Sequence, residues 1–405
     1  MTKQHKATPD PCASCSICVA HCPVAEATSK FKGPKLTGPA LERLRINAED
    51  YDPSLDYCSN CKNCDISCPF GVSISTLNMK ARAAHYKKHP HPFNHRILTG
   101  GEKLGKLSES FPASLTNLSM TIGKKLKLTE IVGISGNAPM PSYADKSLTK
   151  RLKNFQQTPY PDKVVFYVGC YIHYNDPEVG MDIIKTLQKN HYEVIIENQF
   201  VCCGSPFVSN GYLDEAEKNA KKNINVAEKW LKKNYPIITG CTSCLLMLKQ
   251  EYQELFPDLA DKAAKIAPKI YDTSEFLLSL HEKNKLNLKL GKVSGKYIYH
   301  APCHLRAQGI GLPALDLLAL IPDLQIENAA AGCCGISGSY GIKSDKNEIS
   351  EKVGSKLFKR IKSSQASTVL SECGTCRLQI HHGTQIVTKH PITVLREAYD
   401  NFVNK

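Results

Sequence analysis
KVVFYVGC at residues 163–170 returns as KYIYHAPC at residues 296–303. Each reads as an apolar strand that ends on a cysteine. Outward from each, a helix-like segment and a strand lead to a Cys-Cys-Gly unit, Cys202-Cys203-Gly204 and then Cys333-Cys334-Gly335. Another helix and strand lead to a Cys-x2-Cys pair, in PIITGCTSC at 236–244 and TVLSECGTC at 368–376. Cys170 and Cys303 are 133 residues apart, Cys202 and Cys333 131, and Cys241 and Cys373 132. A near-constant offset marks a duplicated domain. Strands alternating with helices predict a parallel sheet with βαβ crossovers in each repeat. Ligands of such sheets gather beyond the carboxyl ends of the strands, which is where the cysteines fall.

The 18 cysteines sort without remainder into four groups. Cys170, Cys202, Cys203, Cys241 and Cys244 form one, and Cys303, Cys333, Cys334, Cys373 and Cys376 its repeat. The other two lie near the N-terminus and share one spacing. Cys12-x2-Cys15-x2-Cys18-x3-Cys22-Pro23 is matched by Cys58-x2-Cys61-x2-Cys64-x3-Cys68-Pro69. This is the two-cluster ferredoxin run, in which the fourth cysteine ligates the other cluster. On that rule Cys12, Cys15, Cys18 and Cys68 hold one [4Fe–4S] cubane, and Cys58, Cys61, Cys64 and Cys22 the other. Structural zinc sites draw four cysteines as two separated pairs, so zinc fits these runs poorly. Each proline is expected to end the local turn.

Adjacent cysteines such as Cys202 and Cys203 diverge along the backbone, so they suit a group of several irons better than one ion. Gly204 and Gly335 let the backbone approach that group. His173 and His304, beside the lead cysteines, read as hydrogen-bonding neighbours rather than ligands. Tyr167, Tyr171 and Tyr174 read as core and rim aromatics. The glycines of 332–341 run G-x-x-G-x-x-G, which is no dinucleotide fingerprint.

The chain has 405 residues, 42% of them hydrophobic and 22% charged, as in ordinary folded domains. Residues 1–10 are polar, so no signal peptide is expected, and no apolar run reaches membrane-spanning length. Thiols of such a chain stay reduced and serve as ligands rather than disulfides. The formal charge is +14. It suits an anionic membrane face or compensation for anionic clusters; no nucleic-acid module accompanies it, so no nucleic-acid partner is expected. A helix is expected over 40–47 and a proline-punctuated loop over 139–161. Between 93 and 160, Leu104, Leu107, Phe111, Leu115, Leu118, Ile122 and Leu126 recur at helical spacing, broken at Pro112, with Lys103, Lys106, Lys124, Lys125 and Lys127 on or beside the polar face. Such helices pack on the chain's own core or a partner subunit, or lie in a membrane interface.

The duplicated C…CCG…CxxC pattern resembles the cysteine-rich CCG domain of heterodisulfide reductase subunits. Two ferredoxin runs followed by two CCG domains are similar to the C subunits of anaerobic glycerol-3-phosphate dehydrogenases and to glycolate oxidase iron–sulfur subunits. GPKLTGPALERLR at 33–45, GCYIHYN at 169–175, YHAPCH at 299–304 and GCCGISGSYGIK at 332–343 favour the former. The resemblance implies up to two further clusters in the CCG domains, cubane or non-cubane. It implies a flavoprotein partner that oxidises sn-glycerol 3-phosphate and delivery of electrons to membrane quinone. The chain would then be a cytoplasmic, peripheral subunit at the inner face of the membrane. A glycolate or lactate oxidase subunit, a CCG-cluster disulfide reductase, and CCG sites that hold zinc are the alternatives. The expected fold is mixed α+β and α/β, with units at 1–92 (helical, two clusters), 93–160 (amphipathic linker), 161–290 and 291–405 (one CCG domain each).

Overall fold
A computed structural model of the chain describes residues 11–45 and 51–403. The polar residues 1–10 and the last two of the expected 40–47 helix, Ile46 and Asn47, lie outside the described residues. The first repeat contains β1 (Lys163–Phe166), β2 (Glu193–Ile196), β3 (Ile237–Thr239) and β4 (Ile270–Asp272). They pair in the order β2-β1-β3-β4, all parallel. The second contains β5 (Lys296–Tyr299), β6 (Gln325–Asn328), β7 (Thr368–Leu370) and β8 (Val387–Lys389), in the order β6-β5-β7-β8, again all parallel.

Two features depart from the expectation. Strands β1 and β5 stop at Phe166 and Tyr299, and the lead cysteines instead open helices, Cys170–Tyr174 and Cys303–Arg306. Gly169, at φ 72, and Pro302, which has no N–H, break the ladders before the cysteines. The closing strands β4 and β8, three residues each, are additional.

Alternation along β1 builds two layers. Val165 and Tyr167 join Ile237 and Ile270 against Ala216, Ala220 and Ile224 of the helix Leu213–Leu231. Val164 and Phe166 face the other way, onto Ile183, Ile184 and Leu187 of the helix Pro177–Lys189. That second layer continues without a break into Tyr297, Tyr299, Leu317 and Leu395 of the second repeat. Helix Pro177–Lys189 packs on Pro391–Asp400, and Thr273–Glu282 packs on Pro313–Leu318. In each pair, the helix after the first strand of one repeat meets the helix after the last strand of the other. The repeats therefore share one core about an approximate internal two-fold. Asp182 pins it, accepting from Thr393 Oγ1 at 2.7 Å and Arg396 Nε at 3.0 Å.

The N-terminal unit is helical and docks on the first repeat, sending Val24, Leu55 and Met79 into its core. Arg82, on the helix Ile74–Lys88, is buried between the two. It donates to the carbonyls of Leu55 (2.5 Å), Cys58 (2.9 Å) and Ser209 (2.8 Å). Pro23 does not end a turn: it opens the helix Pro23–Ala27, where a missing N–H is harmless. The 40–47 stretch enters through a π-turn over Leu36–Ala40 and is helical over Leu41–Arg45.

Residues 93–131 form the helices Phe93–Thr99, Gly101–Ser108, Ala113–Lys125 and Leu128–Ile131, with the expected break before Pro112. A further helix, Leu148–Leu152, interrupts the expected loop. The seven apolar stripe residues do not pack on the chain's core. They are 40 to 64% exposed, and 10 of the 19 exposed large hydrophobics among the described residues lie between Phe93 and Ile131. The inward side is made of small residues, Gly105, Ser108 and Ala113. At Gly105 a Cβ would collide with the Tyr174 ring, so glycine is what lets the helix lie down with its leucines outward.

Candidate iron–sulfur centres
The two N-terminal runs fold alike. Ser14 and Ser16 in the first loop have φ 57 and 66, and Asn60 and Lys62 at the matching places of the second have φ 54 and 65. Left-handed residues at these positions curl each loop around a hollow and turn its cysteines inward. Cys12, Cys15, Cys18 and Cys68 line one cavity. Cys22, Cys58, Cys61 and Cys64 line the other, with Asn60 and Lys62. The fourth cysteine of each run thus crosses to the other run's cavity.

Lys62 is buried beside the second cavity, 3.0 Å from Glu251, 3.7 Å from Asp65 and 3.8 Å from Glu254. Burial alone would lower its pKa; the three carboxylates overcome this and raise it, so the ammonium stays charged. Glu251 and Glu254 belong to the first repeat, so this cluster also ties the two units together.

Each repeat gathers its five sulfurs into an ordered string. In the first, Cys170 and Cys203 thiols donate to Cys202, which is held well below the ordinary thiol range. Cys244 donates to Cys203 and lies against Cys241 in turn. In the second the string runs Cys303, Cys333, Cys334, Cys376, Cys373. Along it, Cys334 Sγ lies 3.2 Å from Cys376 Sγ, and the Gly335 N–H donates to Cys333 Sγ at 3.3 Å. A bond from Cys376, opposed by burial and aided by Thr375, lowers Cys373 to about 5. The adjacent cysteines do not diverge as expected: Cys202 and Cys203, and likewise Cys333 and Cys334, lie side by side in each string. The first string is braced by Tyr252, which donates to the Cys203 carbonyl at 2.8 Å, and by Glu102, which accepts the Cys202 N–H at 2.9 Å.

These donor sets fit iron–sulfur groups. Soft sulfurs converge in each set, and in the repeats Cys202, Cys241, Cys333 and Cys373 are biased toward the thiolate by their neighbours, with backbone N–H groups and helix N-termini toward the anion. The four sets also adjoin one another. Cys18 feels Cys22 across the first two; Cys61 feels Cys333 and Cys303; Cys241 feels Cys373. Cys15 at one end is exposed, and Cys170 and Cys241 at the other are half-buried, whereas all five cysteines of the second repeat are buried.

His173 and His304 have ring nitrogens bonded to groups other than sulfur. His173 Nε2 meets Thr149 Oγ1 at 3.1 Å. His304 links three units, with Nδ1 at 2.9 Å from Ser243 Oγ and Nε2 at 3.1 Å from the Asn60 carbonyl. Tyr167 is buried, donating to the Val201 carbonyl at 2.6 Å; Tyr171 donates to the Gly374 carbonyl at 3.3 Å, and Tyr174 supports Gly105. Sequence reading missed His300, Lys62, Arg82 and Glu102. Only His300 carries a local signal, three residues before a lead cysteine. Its imidazole is buried, and that burial lowers its pKa to about 4, which keeps it neutral.

Comparison with known proteins agrees with this geometry. The family described as "4Fe-4S dicluster domain" matches residues 9–72, and the one described as "Cysteine-rich domain" matches 164–249 and 297–381. The C subunit of the anaerobic glycerol-3-phosphate dehydrogenase of Escherichia coli (strain K12) is 33% identical over 392 residues, 96% of this chain and 98% of that protein. The B subunit of the fumarate reductase (CoM/CoB) of Methanothermobacter marburgensis is 28% identical over 380 residues, 91% of this chain and 67% of that one. Lactate utilization protein A 2 of Bacillus cereus (strain Q1) is 29% identical over 224 residues, 54% of this chain and 89% of that one. Similarity along nearly its whole length, with both cysteine patterns folded as described, places this iron–sulfur chain in the family of anaerobic glycerol-3-phosphate dehydrogenase C subunits.

Proposed function
We propose that the chain relays electrons from a flavoprotein that oxidises sn-glycerol 3-phosphate to a quinone in the membrane, as a peripheral subunit at the inner face of the cytoplasmic membrane. The observation that carries this reading is the unbroken succession of four sulfur sets from the exposed Cys15 to the half-buried Cys170 and Cys241. Each bound iron–sulfur cluster supplies one-electron exchange at fixed geometry. In this reading Cys12, Cys15, Cys18 and Cys68 hold one cubane, Cys22, Cys58, Cys61 and Cys64 another, and the ten cysteines of residues 161–290 and 291–405 hold two more clusters.

The rest of the chain holds these donors and docks them. Arg82 and Lys62 fix the second ferredoxin loop to the first repeat. The segment 93–160 seats the molecule: its apolar stripe faces out, flanked by Lys103, Lys125 and Lys127, which suits an anionic lipid surface. The same helices are tied to the first repeat's site. Glu102 accepts the Cys202 N–H, Gly105 lies on Tyr174, and Asn117 exchanges two 2.9 Å hydrogen bonds with the backbone of Tyr143, a neighbour of Cys170. We therefore put the delivering end at the first repeat and the receiving end at Cys15.

The test uses the full chain, reconstituted anoxically with iron and sulfide and added to anionic vesicles that carry a quinone and the flavoprotein partner. Four filled sites require about 16 irons per chain, at four per cluster. Glycerol 3-phosphate should reduce the clusters, and quinone should reoxidise them. Iron that never exceeds about eight per chain would mean empty CCG sites. Reduction of a disulfide without any flavoprotein would replace the relay with a thiol reductase.

A further inference from the structure
The two repeats match in their cysteines but differ at one buried position that faces them. Tyr167 follows β1 and stands three residues before Cys170; His300 follows β5 and stands three before Cys303. Tyr167 has its hydroxyl committed to the Val201 carbonyl at 2.6 Å. His300 is 2% exposed, and its Nε2 has no hydrogen-bond partner. An imidazole nitrogen buried without a partner is costly unless something else fills its valence. A ring nitrogen of His300, Cys334 Sγ and Cys376 Sγ all lie within 4.8 Å of one another. His304 and His173 show no such vacancy at the sulfurs, being bonded to Ser243, Asn60 and Thr149.

We infer that His300 is a nitrogen donor to the group held by the second repeat, so that this site offers five sulfurs and one nitrogen where the first offers five sulfurs alone. This rests on the reading of the CCG sites as iron–sulfur centres. A neutral nitrogen beside thiolates adds a donor without adding negative charge, and the donor set and its burial both set the potential of an iron–sulfur centre. The deeply buried second site therefore differs in potential from the half-exposed first site, although their cysteine patterns are the same.

The test is pulsed EPR on the anoxically reconstituted full chain, made once with ordinary and once with 15N-labelled histidine. We expect a nitrogen coupling in one of the two CCG signals, changed by the histidine label and lost in His300→Tyr, which installs the first repeat's residue. His300→Leu should lose it too, and the first repeat's signal should stay unchanged in both. A wild-type chain without histidine coupling in either CCG signal overturns the inference, and that measurement needs no variant to fold. Coupling that survives both substitutions overturns it as well, moving the contact to another histidine. Iron content separates this from the underlying reading: about eight irons per chain, or zinc in place of iron in the second repeat, would overturn the iron–sulfur assignment itself.

Discussion

At the residue scale, Lys62 shows how a cluster loop is held. Its ammonium is buried beside Glu251, itself buried in the first repeat. Removing one partner of a buried pair strands the other's charge, at about 3–5 kcal/mol. Lys62→Met should therefore lower stability by that order in anoxic denaturant unfolding. Lys62→Met with Glu251→Gln should regain much of it, because the stranded charge is gone. The glycines after the paired cysteines give a second expectation. Both have positive φ, 93 at Gly204 and 91 at Gly335. A Cβ at Gly204 would stand 3.2 Å from the Ala216 Cβ and 3.3 Å from its Cα, a tight fit, whereas at Gly335 it would overlap the Ser350 backbone carbonyl. A shift of a few tenths of an ångström relieves the first, whereas the second requires the helix backbone to move bodily. Gly335→Ala should thus lose one cluster, about four irons, while Gly204→Ala keeps most of its iron; metal analysis of the two variants decides.

At the element scale, the helices Gly101–Ser108 and Ala113–Lys125 carry the docking face. Leu107 and Leu118 are 58% and 53% exposed on it. Burying a leucine is worth about 1.5–3 kcal/mol, and about 1.4 kcal/mol is a factor of ten. Leu107→Glu with Leu118→Glu should weaken sedimentation with anionic vesicles about a hundredfold or more while the iron content is kept. Raising the salt should weaken the wild-type chain too, since surface charges are screened beyond about 10 Å at roughly 0.1 M. The spacing of this stripe was legible in the sequence, and so was its break at Pro112. Its direction was not, because Gly105 seats the helix on Tyr174, a contact between residues far apart in the chain. The parallel repeats were legible in their offsets, but β4 and β8 are too short to show a period. The histidine that follows Cys303 drew notice; the one three residues before it did not, since orientation toward sulfur is set by the strand end and not by proximity in sequence.

At the scale of the whole molecule, the shared core between repeats makes stability depend on neutral histidines. His390, at the start of the last helix, accepts the Ile392 N–H at its Nδ1, 3.1 Å away, and its Nε2 lies 3.2 Å from the Gly240 carbonyl of the other repeat. Burial, with the Arg377 charge adding, lowers it to about 3. A folded pKa below the unfolded value of about 6.5 gives stability that is present above that pH and is lost as pH falls toward 3, at about 1.4 kcal/mol per unit. Melting temperature should fall between about pH 7 and pH 5.5. His390→Gln, which cannot ionise, should remove one proton's share of that slope; His95, held near 2, keeps its own.

That common core also bears on descent. A single repeat cut free would present Ile184, Phe276 and Leu280 to water, and its simplest remedy would be to pair with its own twin. A lone repeat of this kind would then form a symmetric homodimer, whose two sites are bound to be identical because one gene encodes both. Joining two copies of that gene into one chain lifts that constraint. Only afterwards can a tyrosine stand at 167 and a histidine at 300, with the architecture around them unchanged.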